Sequence, residues 1–192
     1  MEKLKAQWTH EGYTLRSFEE GQAEKYYRDC FVKEDPEVDR LTGSSGTFSR
    51  DRVVQYYDRV VHDPDRYDFM LIDPQGDFIG ESVINEIDWN TRSANFRIVI
   101  FSAQHRSRGL GSWAVERTRD FAFAQLKLHR LELDVFSFNP RAQKAYAKAG
   151  FRVEGVRKDA VLDGGRYADD ILMAILEDEW NSLKAADAET SP

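Results

Sequence analysis

The sequence predicts an α/β fold, one layered domain over residues 1–183 built on a sheet of mixed direction. Three observations carry this. The second half alternates strand and helix patterns, which builds sheet-and-helix layers. Turn signals at 73–77 and 163–166 mark a hairpin on either side of that stretch. The chain of 192 residues is 41% hydrophobic and 12% aromatic, enough to fill a core.

The elements follow in order. Residues 13–17 read as a first strand and 19–30 as a helix. Residues 33–49 read as a loop carrying Glu34, Asp35, Glu37 and Asp39, then Gly43-Ser44-Ser45-Gly46. A helix opens at Ser49 or Arg50 and runs to about His62, with Val53, Tyr56, Tyr57 and Val60 at helical spacing. Strands 68–72 and 78–87 flank Asp73-Pro74-Gln75-Gly76-Asp77 as a hairpin, and a turn at 91–93 leads to a mostly apolar strand, 95–101. A helix over 110–126 precedes a strand at 130–136 whose Leu131, Leu133 and Val135 share a face. Asn139 caps a helix that starts with Pro140 and ends at Gly150. Residues 152–162 and 168–176 close the domain as a hairpin. The polar stretch 184–192 reads as a disordered tail.

Composition narrows the function. The net charge of −7 disfavours general nucleic-acid binding, which shows a basic face. No apolar run approaches the roughly 18–20 residues of a membrane span, and the first residues lack a signal peptide's apolar stretch. Cys30 is the single cysteine, so no internal disulfide forms, and it reads as a small buried residue. A cytoplasmic protein without a membrane partner fits this composition. No His/Cys/Asp cluster has metal-ligand spacing, so no metal is expected.

At the junction after strand 95–101 the chain reads Arg106-Ser107-Arg108-Gly109-Leu110-Gly111-Ser112, and a helix begins. First-turn amides lack internal partners and the helix dipole is positive there, so a pyrophosphate can bind. Glycines let it approach the backbone, and Arg106 and Arg108 add charged donors. A lone Gly-x-Gly is equally an ordinary strand-to-helix turn. The Walker loop and the three-glycine dinucleotide motif are both absent.

The pattern Arg106-x-x-Gly109-x-Gly111 resembles the acetyl-CoA loop of the GNAT superfamily of N-acetyltransferases. About 28 residues on, Asn139-x-x-Ala142-x-x-x-Tyr146-x-x-x-Gly150-Phe151 resembles the second signature of that family. From Gly80 onward the chain is similar to spermidine N-acetyltransferases and ribosomal-protein N-terminal acetyltransferases, through 86–89, 92–96 and 164–169. The resemblance implies a mainly antiparallel, twisted sheet flanked by helices on both faces. It implies acetyl-CoA as co-substrate, held by Val99, Phe101, Arg106, Ser107, Arg108, Gly109, Leu110, Gly111, Ser112, Asn139 and Tyr146. It also implies that Tyr146 acts as the acid for the departing thiolate. By spacing alone Tyr146 is an ordinary core aromatic, and Asn139 an ordinary cap.

The attacking amine must lose a proton. Glu86 is the first choice of base, with Glu81 and Asp88 as competitors. In an unbroken strand Glu86 and Asp88 share one face and Glu81 takes the other. His105, next to the loop, is expected at phosphate or solvent. The acceptor is expected to be a cationic small amine such as a polyamine, drawn by the acids of 34–39 and by Glu86 with Asp88. The alternatives are a protein N-terminus as acceptor, or a non-catalytic acyl-CoA-binding regulatory domain. A homo-oligomer, a dimer or larger, is allowed.

Overall fold

The computed structural model describes residues 3–33, 35–44 and 47–190. The elements are β1 (Gln7–His10), β2 (Tyr13–Ser17), α1 (Ala23–Cys30), α2 (Pro36–Thr42), α3 (Arg50–His62), β3 (Tyr67–Ile72), β4 (Phe78–Asp88) and β5 (Ser93–Ile100). They continue as α4 (Leu110–Ala124), β6 (Arg130–Phe136), α5 (Pro140–Lys148), β7 (Arg152–Asp163), β8 (Arg166–Leu176) and α6 (Glu177–Thr190). The strands form one sheet in the order β1-β2-β3-β4-β5-β6-β8-β7. The central pair β5–β6 is parallel and the other neighbours are antiparallel.

Alternation along the strands sends side chains to two separate cores. Phe69 and Leu71 of β3 join a cluster with Leu110, Ala114 and Phe121 of α4 and Tyr146 of α5. Met70, between them, joins Tyr26 and Cys30 of α1 and Val53, Tyr57 and Val60 of α3. Helices therefore cover both faces, as expected, with α4 and α5 on one and α1 and α3 on the other. Cys30 is buried, also as expected, and its thiol donates to the Phe78 carbonyl at 3.7 Å.

Three local expectations need correction. Strand β1 was not foreseen; it pairs with β2 through a two-residue turn, Glu11-Gly12, with φ of 48° and 83°. Both turn residues take the left-handed conformation that suits tight hairpins. Residues 33–49 are not all loop, because α2 forms between Asp35, whose carboxylate accepts from the Glu37 N–H at 2.9 Å, and Gly43 in the left-handed conformation. It has a capping residue, Pro at its first position and a glycine stop, but buries no side chain. It therefore lacks the apolar stripe by which helices are recognised. The polar tail is helical as far as Thr190. Its anchors lie before and at the start of the polar stretch: Trp180 stacks on Phe123 at 5.5 Å and donates to Asp120 at 2.9 Å. Lys184 also reaches Asp120, at 2.6 Å.

Candidate active site

Strands β5 and β6 pair only from Ser93–Asn95 to residues 130–132. Beyond that point they part, and the gap opens into a cavity of about 1080 Å3. Phe96 and Val99 line it from β5, with Phe101 just beyond the strand end, and Asp134 and Val135 line it from β6. The sheet's one parallel pair thus creates the cleft, at the type of crevice where ligands bind in α/β sheets.

At one side of this cavity stands the N-terminus of α4. Its cap residue is Gly109, φ 82°, with no side-chain hydrogen bond to the first-turn amides. Those amides are the unpartnered donors that an anion needs. Ser107, Gly109, Gly111 and Ser112 line the cavity. Gly111 has ordinary φ, and a Cβ there would meet only Ile100 Cδ1, at 3.6 Å. The packing of the fold therefore does not require glycine at 111, whereas a phosphate approaching the backbone does. The loop and helix end fit the pyrophosphate of CoA. Two expected members do not line the cavity: Leu110 is buried in the core, and Arg108 is exposed.

Arg106 lines the cavity, but its guanidinium is committed elsewhere. It donates to Asp35 at 2.5 Å, to Glu37 at 2.6 Å, and to the carbonyls of Ile100 and Phe101 at 3.1 and 3.2 Å. Its side chain is 7% exposed. Burial pushes Asp35 up, but the hydrogen bonds from Arg106 and from backbone N–H groups, with the Arg106 charge, hold its carboxyl below the usual range. His105 does not meet solvent or the cavity. It is buried, with Nδ1 2.8 Å from Ser102 Oγ and Nε2 3.7 Å from Asp73, against the edge of Tyr13. The short helical turn 103–105 swings the ring inward, toward the β3–β4 turn.

Helix α5 supplies the opposite wall. The Asn139 side chain caps it, accepting from the Ala142 N–H at 3.2 Å, and also lines the cavity. Tyr146 is 7% exposed and stands edge-on to Phe96 at 6.1 Å. Its hydroxyl makes no hydrogen bond among the described residues. Burial, with help from the Asp134 charge, raises its pKa above the ordinary value of 10.0. It is therefore a protonated donor with no partner, in a ligand-sized cavity.

The remaining wall lies on the α1–α3 side. Glu81 of β4 is 8% exposed, lines the cavity and accepts from the Tyr26 hydroxyl at 2.6 Å. Burial raises its pKa above the ordinary 4.5; the Tyr26 hydrogen bond opposes this and the charge of Asp68 adds to it. Tyr56, pushed up to about 12 chiefly by burial, stands near it with Phe31 and Phe48. Glu86, the first choice from sequence, is exposed and does not line the cavity. A bulge between Asn85 and Asp88, with Glu86 at φ 54°, breaks the alternation assumed for this strand. Asp88 is exposed too and caps the following turn, accepting from Asn90 N–H at 2.8 Å. Arg97 of β5 lines the cavity as well, and sequence reasoning assigned no site role to it, to Tyr26 or to Tyr56. The one available signal was an acid amid Phe78-Ile79-Gly80-Glu81-Ser82-Val83-Ile84, where a buried strand leaves little place for charge.

Comparison with known proteins agrees with this geometry. Residues 13–152 match the family described as Acetyltransferase (GNAT) domain. Spermidine N(1)-acetyltransferase of Vibrio cholerae is 33% identical over 132 residues, 69% of this chain and 76% of that protein. The L-amino acid N-acetyltransferase of Escherichia coli is 35% identical over 101 residues, 52% of this chain and 62% of that one. The crystal structure of the Vibrio cholerae spermidine N-acetyltransferase with CoA and spermine superposes with a TM-score of 0.78 at 28% identity. That match covers 90% of this chain and 99% of the other. With the two signatures, the parted strands and the open helix N-terminus in place, the chain belongs to the GNAT acetyltransferase family and is an acetyl-CoA-dependent N-acetyltransferase.

Proposed function

We propose that this enzyme acetylates a primary amine of a small cationic molecule of the polyamine class, with Glu81 as proton acceptor and Tyr146 as proton donor. Bound acetyl-CoA supplies the thioester; the amine nitrogen forms the new N–C bond as the C–S bond breaks. The amine's proton passes to the Glu81 carboxylate, directly or through one water, and the Tyr146 hydroxyl protonates the departing sulfur. Val99, Phe101, Ser107, Gly109, Gly111, Ser112 and Asn139 hold the cofactor. The single observation that carries the assignment of the base is that Glu81 is a buried carboxylate in the cavity that also receives Tyr146 and the α4 N-terminus. The polyamine class is supported by the relatives named spermidine N(1)-acetyltransferase. A thiol-release assay with acetyl-CoA and a panel of spermidine, spermine, simple alkylamines, amino acids and N-terminal peptides tests it. Spermidine or spermine should give the highest kcat/KM, with a KM that rises with ionic strength. A neutral or acidic acceptor winning the panel, with a salt-insensitive KM, would contradict it.

One observation favours a second reading, an amine on a peptide N-terminus or another molecule that also carries an anionic group. Lys33, Arg52 and Arg97 line the same cavity and form no ion pair among the described residues. Asp35 and Glu37, expected to draw a cation, are occupied by Arg106, and Glu34 lies outside the described residues. The peptide and amino-acid members of the panel decide between the two readings.

Self-association also belongs to the proposal. Strand β7 forms a sheet edge and exposes Val153, Val156 and Leu162, beside Tyr167 of β8 at 72% exposure. A spermidine N-acetyltransferase of Vibrio cholerae is dodecameric in one of its structures. Light scattering that gave a monomer at micromolar concentration would remove this part. A cytoplasmic location is proposed as well; no helix among the described residues is long and apolar enough to cross a membrane.

A further inference from the structure

Arg106 begins the cofactor loop, and by charge alone it would be assigned to phosphate. Four of its contacts point another way. Two go to the carbonyls of Ile100 and Phe101 at the end of β5, and two to the carboxylates of Asp35 and Glu37 at the start of α2. A guanidinium has five N–H donors in a fixed fork, so little capacity is left for a ligand.

Helix α2 has need of such a partner. It buries no side chain fully; Val38 and Leu41 are only half-buried, so packing holds it weakly. Polar contacts do more. The Asp35 carboxylate both caps the helix and takes Arg106. Glu37 takes Arg106 on one oxygen and Arg141, at the start of α5, on the other at 3.4 Å. Arg40 makes a two-pronged pair with Asp163 at 2.6 and 2.7 Å. Held there, α2 contributes Val38, Leu41 and Thr42 to the cavity wall. The pair with Asp35 is the most enclosed of these contacts, with Arg106 at 7% and Asp35 at 23% side-chain exposure, so solvent screens it least.

We propose that Arg106 is a positioning residue for the acceptor side rather than a phosphate ligand. It fastens α2 to the end of β5, so the loop that receives the cofactor and the wall that shapes the acceptor chamber form one unit. This rests on the acetyl-transfer reading for its kinetic arm alone. The phosphates are left to the α4 amides.

The test compares Arg106→Gln, Arg106→Lys and the double variant Asp35→Asn/Glu37→Gln, in which the asparagine side chain keeps the helix cap but loses the charge. Three quantities are measured: CoA affinity by calorimetry, hydrogen exchange of the α2 amides, and kcat and KM for spermidine or the best amine of the panel. Loss of a charge-assisted hydrogen bond converts to about tenfold. Arg106→Gln and the double variant should each speed α2 exchange and raise the amine KM about tenfold, and leave CoA affinity within about twofold. Arg106→Lys, which keeps the charge, should fall between Arg106→Gln and wild type. A tenfold loss of CoA affinity in Arg106→Gln, with α2 exchange and amine KM unchanged, would make Arg106 a phosphate ligand and overturn the proposal. So would a double variant indistinguishable from wild type in exchange. If wild type acetylates no amine, the acetyl-transfer reading fails, while exchange and calorimetry still decide the role of Arg106. The double variant leaves the loop's own residues intact, so a folding defect confined to Arg106→Gln does not cloud the outcome.

Discussion

The two sides of the cavity differ in what builds them. The cofactor side comes from consecutive elements, β5, α4, β6 and α5, whose loops carry fixed spacings of Gly, Asn, Pro and Tyr. The acceptor side is assembled from α1, α2, α3 and the middle of β4, which lie far apart in sequence and touch through aromatic packing and ion pairs. Tyr26 meets Glu81 from 55 residues away, and Arg106 meets Asp35 from 71. Backbone chemistry dictates the first side, so short motifs report it. Long-range side-chain contacts make the second, and no local pattern encodes them.

Substitutions on each side can break this contrast. The largest effect is expected at Glu81: Glu81→Gln should lower kcat about 100–10,000-fold, the range of a lost general base. On the cofactor side Tyr146→Phe should lower kcat about 10–1000-fold, with acetyl-CoA affinity unchanged by calorimetry. An unchanged kcat would return Tyr146 to packing. Gly111→Val should weaken acetyl-CoA binding about tenfold or more, because the side chain fills space left for phosphate, with Tm of the free protein kept. If acetyl-CoA raised the Tm of that variant as it does the wild type, the α4 N-terminus would not be the site. The smallest of these effects is structural. Gly150 has φ 94°, and a Cβ there would lie 2.4 Å from Leu183 Cδ1. Gly150→Ala should destabilise the fold by about 1–3 kcal/mol, read as a lower denaturant midpoint, and leave kcat in place.

Much of the fold was legible because its periodicities are strong. Arg50–His62 and Arg130–Phe136 occur within the expected bounds. Each miss has its own physical cause. The bulge at Glu86 breaks the alternation assumed for this strand, so Glu86 and Asp88 are exposed and off the cavity while Glu81 lines it. Helix α2 carried its caps in plain view, yet without a buried face it read as loop. For Arg106, residue type and spacing were visible, but its partners were not, since burial of an arginine depends on acids brought from 71 positions away.

Glu81 offers the most direct test of the central claim, that acetyl transfer runs through a base on the middle of β4. Its pKa is raised by burial above the ordinary 4.5. In the window between the unfolded and folded values the native state holds a proton that the unfolded chain has lost. Unfolding free energy should therefore fall as pH rises through that window. Activity has the opposite dependence, because the base works only when ionised. The measurement is kcat/KM for the best amine against pH in wild type, Glu81→Gln and Glu86→Gln. Wild type and Glu86→Gln should share an acidic limb above pH 4.5, agreeing within about twofold throughout. Glu81→Gln should lose that inflection and keep only the rise set by the amine's own ionisation. An intact limb in Glu81→Gln, or its loss in Glu86→Gln, would contradict the account.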